Sequence, residues 1–170
     1  RRDIGVNYVY KEEPMGLIER VLFTTDFSQY SEYALNYALE FAEKYGAELI
    51  ILHVVSQPIY PVAPEAFVPS YSPEKIAKQL EKEAGEKLDL IISEKVKDRV
   101  ACRKIVLNGT PYREIVATAK ELGISLIVMA THGRTGLSYV FMGSVAEKVV
   151  RKATCPVLTI KHPDFAIQGM

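Results

Sequence analysis

Residues 124–160, ISLIVMATHGRTGLSYVFMGSVAEKVVRKATCPVLTI, decide how this chain is read. A short apolar run leads into a loop carrying Gly133, Gly136 and Gly143. A helical segment then opens at Ser144, and a second apolar run follows. A strand that feeds a glycine loop ending at a helix amino terminus is a place where phosphate can sit. Glycines let the backbone approach a ligand, and first-turn N–H groups without a helical acceptor favour an anion. The plainer alternative is a tight connection in which Ser144 and Glu147 form an S-x-x-E capping box. Spacing alone leaves both open, because glycine loops also serve packing.

Upstream of this stretch the pattern alternates. Arg20 to Thr25 is a short β-rich run, and Ser28 to Tyr45 is helical, ended by Gly46. In that helix Tyr33, Tyr37 and Phe41 recur at spacing four beside Ala34, Ala38 and Ala42, a large-beside-small stripe suited to lying on a sheet. Glu48 to Val55, ELIILHVV, is almost continuously apolar, as a parallel strand covered on both faces should be. The proline-rich segment 56–73 reads as a long loop, of the kind that tends to be functional or mobile. A helix from Pro73 to about Val96 has Ile76, Leu80, Ala84, Leu88 and Ile91 on one face and a solvated Lys/Glu face opposite. Cys102 to Leu107 is a third strand. Asn108-Gly109 turns, Thr110 can cap, and Pro111 takes the first position of a helix running to about Gly123. Strands at Ile124–Ala130 and 156–160 complete an open α/β sheet with right-handed crossovers.

The 170 residues suffice for one domain with a core. We place that domain at 16–162, with residues 1–15 as a flexible leader and 163–170 as a tail. The 21 basic and 21 acidic residues balance, which gives no electrostatic reason to expect a nucleic acid or an acidic membrane surface as partner. No apolar run approaches the roughly 18 residues of a membrane span, and the start lacks a secretory apolar core. A cytoplasmic location is the expectation. Cys102 and Cys155, far apart, read as buried reduced thiols. His53, His132 and His162 form no spaced metal set with them. His53 reads as a packed or hydrogen-bonded strand residue, and His132 as structural in its loop.

The chain resembles the universal stress protein family, whose nucleotide binders carry G-x2-G-x9-G-[ST]. Here Gly133 and Gly143 are the second and third glycines, followed by Ser144, while Ala130 stands at the first position. Thr24-Thr25-Asp26-Phe27-Ser28, Leu52-His53-Val54, Gly109-Thr110-Pro111 and Cys155-Pro156-Val157 also fall where that family has similar sequence. The resemblance spans about residues 17 to 162. It implies a Rossmann-like, five-stranded parallel sheet of order 3-2-1-4-5, with the ligand at the switch between the first and fourth strands.

The same resemblance implies a nucleotide site made of Thr25, Asp26, Val54, Ala130, Gly133, Arg134, Gly143, Ser144 and Val145. Asp26 and Val54 would hold adenine, Ala130 would face the ribose, and the last five would surround the phosphates. Asp26 reads equally well as a cap for the helix near Ser28. Implied ligands are ATP, or AMP or ADP, with Mg or Mn bridging phosphates and no protein metal site. The terminal strand 156–160 would pair two copies into a homodimer. No P-loop, G-x-G-x-x-G turn or G-x-S-x-G elbow is present. No catalytic residue is assigned, and the rivals to a stress-response or signalling nucleotide module are a slow metal-dependent ATPase and a nucleotide-free structural or partner-binding dimer.

Overall fold

The computed structural model describes residues 18–56, 73–133 and 142–163. The leader, residues 57–72, Arg134, Gly136 and the tail beyond 163 lie outside the described residues. Strands β1 (Arg20–Thr24), β2 (Glu48–Val55), β3 (Cys102–Asn108), β4 (Leu126–Ala130) and β5 (Val157–Ile160) form one parallel sheet ordered β3-β2-β1-β4-β5. Helices α1 (Gln29–Tyr45), α2 (Pro73–Ile91), α3 (Pro111–Glu121) and α4 (Ser144–Lys152) connect successive strands. The expected architecture and strand order are those the chain adopts.

Strand side chains alternate between faces, and the two cores follow that alternation. Val21, Phe23, Leu49, Ile51 and Val128 pack with α1 and with Leu88 of α2. Leu22, Ile50, Leu52, Ile127 and Met129 pack with Ile115 of α3 and Val149 of α4. Helices therefore cover both faces, which is why β2 is apolar almost throughout. On α1 the buried residues include Ala34, Leu35, Ala38, Leu39 and Ala42, while Tyr33, Tyr37 and Phe41 pack along the margin. The small residues of the stripe, with two leucines, make the closest contact.

Three local features differ from the sequence reading. The helix expected to reach Val96 leaves α geometry at Ile92, where a π turn (Ile92–Val96) closes with Lys97 N–H donating to the Ile92 carbonyl at 2.7 Å. Thr110 is the N-cap of α3, but its side chain makes no capping bond. The Ser144–Glu147 capping box does not form. Gly143 is the N-cap of α4, so Ser144 is already helical and its hydroxyl lies one residue too far along; Glu147 instead pairs with Arg151 at 3.0 Å. By contrast Ser28 caps α1 as a cap should, its Oγ accepting from Ser31 N–H at 3.2 Å.

Both thiols are free and half-buried, short of the full burial expected. Burial, helped by the nearby Glu48 carboxylate, pushes Cys102 up to about 11, which holds it in its unreactive protonated form at neutral pH. Among the described residues no helix is long and apolar enough to cross a membrane.

Candidate functional site

In a parallel sheet all strands end on one side, and the ends of β2, β1 and β4 here open onto a single cleft of about 510 Å³. That volume lies within the range of about 300–1,000 Å³ common for small-molecule sites. Thr25, Asp26, Val54, Ala130, Gly133, Gly143, Ser144 and Val145 all line it. Residues read from three separated parts of the sequence therefore converge, while Arg134 lies outside the described residues. The cleft sits where strand order reverses, α1 leaving β1 on one face and α4 following β4 on the other.

The turn after β1 is held by its own side chains. Thr25 Oγ1 is 2.9 Å from Ser31 Oγ and accepts from Phe27 N–H at 3.0 Å. The Thr25 carbonyl accepts from His53 Nδ1 at 2.8 Å, which fixes the proton on that nitrogen, since a carbonyl only accepts. Asp26 Oδ1 accepts from Ser28 N–H at 3.1 Å and from Ser28 Oγ at 2.6 Å. Asp26 is thus tied to the residue that caps α1 and supports the cap at one remove, while also facing the cleft. His53 is the hydrogen-bonded strand residue it was read to be.

The glycines close onto protein groups. A Cβ on Gly133 would sit 2.5 Å from Asp26 Oδ2, so a side chain there would have to displace the carboxylate against which the β4 loop rests. A Cβ on Gly143 would sit 3.0 Å from the Thr131 carbonyl oxygen, which also accepts from Gly143 N–H at 2.8 Å. Thr131 N–H in turn donates to the Ile160 carbonyl at 2.9 Å, joining β5, the loop and the start of α4. His132 is buried, with Nδ1 2.9 Å from Thr131 Oγ1, in keeping with a structural role. No side chain caps α4. Its first-turn N–H groups and the positive end of its dipole belong to the part of the helix that lines the cleft.

Several lining residues carried no signal in the sequence. Leu80, Ala84 and Lys87 come from α2, which packs on the face opposite α4, and Ile115 comes from α3. Lys87 adds positive charge and Glu83 negative charge to a wall that already holds Asp26. Phe27 lies with its ring centroid 4.3 Å from that of His53, and Lys87 Nζ stands 5.4 Å from the Phe27 centroid. The Lys/Glu face of α2, read as solvated, thus turns one lysine toward the cleft. Only the packing of α2 across the strand ends reveals this.

Comparison with known proteins bears on the family and the fold. The model of the universal stress protein family matches residues 18–161. Universal stress protein MJ0531 of Methanocaldococcus jannaschii is 33% identical over 148 residues, which cover 86% of this chain and 84% of that protein. The solved structure of MJ0577, from the same organism, superposes with a TM-score of 0.74 at 31% identity, covering 86% of this chain and 98% of that one. A universal stress protein from Archaeoglobus fulgidus, solved in complex with dAMP, has a TM-score of 0.60 at 24% identity, covering 86% of this chain and all of that one; this likeness is one of fold.

Proposed function

The chain belongs to the universal stress protein family, and from that premise we propose that it is an adenine-nucleotide-binding module whose ligand is ATP. One observation carries the reading. The uncapped start of α4, entered through Gly143, opens into the cleft that Asp26 and Val54 line from the other strands. Phosphates would take the α4 end, held by the N–H groups and hydroxyl of Ser144 and by Val145, with Gly133 and Arg134 beside them. The base would take the β1–β2 end, against Asp26 and Val54, with Ala130 next to the ribose and Thr25 holding the turn. The dAMP of the Archaeoglobus fulgidus protein belongs to that protein, and the reading for this chain rests on its own cleft. Calorimetric titration with ATP, ADP and AMP tests it directly; no binding of any of them at millimolar concentration would end it.

Among the described residues no group of three or more His, Cys, Asp or Glu side chains could hold a metal. A Mg or Mn ion would be held through the nucleotide's own phosphates, where it would neutralise charge. Asp26 is a candidate base near the loop, with Oδ1 already engaged by Ser28, and Glu83 and His132 also line the cleft. We read the chain as a binding module in stress response or signalling in the cytoplasm, with a slow metal-dependent ATPase as the alternative. The pairing surface of a homodimer would be residues 156–160, since β5 is an edge strand. Leu158→Lys is expected to shift such a dimer to monomer by light scattering, with circular dichroism reporting whether the fold survives. A parent protein that is monomeric at high micromolar concentration would remove the dimer from the proposal.

Ala130 bears on the nucleotide-free alternative. It ends β4 beside Ile160, lines the cleft, and packs partly against the α1-side core. Ala130→Gly is expected to tighten nucleotide binding by on the order of 1 kcal/mol, less whatever the lost packing and the added freedom of glycine take back. An effect at the ribose should help ATP, ADP and AMP alike. Unchanged or weaker binding of all three would mean that alanine suits this position.

A further inference from the structure

Beside the cleft, lined by the end of β1, α1 and the end of α2, lies a second cavity of about 380 Å³. Phe23 and Leu35 contribute its apolar wall, Leu90 and Ile91 of α2 its opposite side, and the ion pair of Lys95 with Glu32 at 3.0 Å its charged rim. The two cavities share Thr25, Phe27, Ser31 and Lys87. Thr25 and Ser31 are buried and bonded to each other, so they are fixed parts of the wall. Phe27 and Lys87 are the two long side chains that line both spaces.

Phe27 is an unexpected residue for that place. Its φ of 63° lies in the left-handed region, which a bulky side chain occupies at a cost and glycine occupies freely. Strain of this kind persists where surrounding contacts hold it, and it gathers at functional sites. Here the contacts include the His53 ring, the Lys87 ammonium and the core on the α1 side. A glycine would suit the backbone better and would take away a ring that lines both cavities.

We propose that Phe27 is a specificity-determining residue: its ring closes the base end of the nucleotide site against the second cavity and so rejects adenine nucleotides enlarged on the base. The proposal rests on the nucleotide reading above and adds to it a size limit and the side chain that sets it. The chemical class admitted by the parent is the unsubstituted purine nucleotide. The class admitted once the ring is gone is a purine carrying an apolar group, which the second cavity's Phe23, Leu35 and Ile91 would contact.

The test uses ATP and three ATP analogues carrying a benzyl group at N6, C2 or C8, titrated calorimetrically into the parent, Phe27→Gly and Phe27→Ala. Glycine matches the left-handed backbone, alanine controls for its flexibility, and circular dichroism confirms that each variant is folded. The parent is expected to bind every analogue at least about tenfold more weakly than ATP. At least one analogue should gain about tenfold or more, relative to ATP, in both variants. A parent that accepts all three analogues as well as ATP, or folded variants that recover none of them, overturns the assignment of Phe27 while leaving the nucleotide reading standing. A parent that binds neither ATP nor any analogue overturns both.

Discussion

Replacing Gly143 with valine is expected to weaken ATP binding by about 1.4 kcal/mol or more, at least tenfold, and to lower stability as well. A Cβ there would lie 3.0 Å from the Thr131 carbonyl, a backbone atom already fixed by its bond to Gly143 N–H, and valine adds two methyl groups beyond it. Overpacking of this kind costs roughly 1–3 kcal/mol. The start of α4 would relieve the clash by moving away from the β4 loop, carrying its first-turn N–H groups with it. Thermal melting gives the stability loss and calorimetry on the folded fraction gives the affinity. Parental affinity for ATP in a folded Gly143→Val protein would place the anion elsewhere.

The same loop shows where sequence reasoning reaches and where it stops. The glycine spacing points to backbone approaching a ligand at 133 and 143, whereas the close approaches in the structure are to protein groups. Their partners, Asp26 and Thr131, were not legible, because they are set by how the ends of β1 and β4 lie together. The capping box failed for a similar reason. An S-x-x-E pattern says that a cap is possible but not which residue takes the N-cap position, and Gly143 takes it here. Strand β2 was read to the residue, because a run buried on both faces writes itself as unbroken apolar sequence. Lys87 and Phe27 gave no signal, since an exposed lysine on a charged helix face and a phenylalanine beside a cap look ordinary until α2 is laid across the sheet.

Truncating Leu22 to alanine is expected to cost about 3–5 kcal/mol of stability, in the upper part of the range for Leu→Ala changes. Leu22 is on the middle strand, wholly buried, and flanked in register by Ile50 on β2 and Ile127 on β4, both also wholly buried. Fixed neighbours on both sides leave little freedom to collapse into the space. Against a total of about 5–15 kcal/mol for a domain, the loss is a large fraction. It should appear as a drop in Tm on the order of 10 °C. Chemical denaturation of the parent and variant at equal slope measures it. A loss below about 1 kcal/mol would mean that the site can relax as an edge strand does, contrary to the observed order.

The π turn at the end of α2 has a bearing on how the length of this chain can vary. Leu88 and Val96 anchor that end of the chain in one core, each wholly buried and eight residues apart. At about 100° per residue, a regular helix would place residues eight apart roughly 80° out of line, and residues seven apart within about 20°. The wider turn takes up the difference, so the segment carries one residue more than regular geometry would need between its anchors. Ser93, Glu94 and Lys95 in that turn are all exposed. Removing one of them would turn the bulge back into ordinary helix with both anchors still facing the sheet. Deletion of a single residue, ruinous in most buried helices, is here an exchange of the wider turn for regular helix that keeps both anchors on the core side.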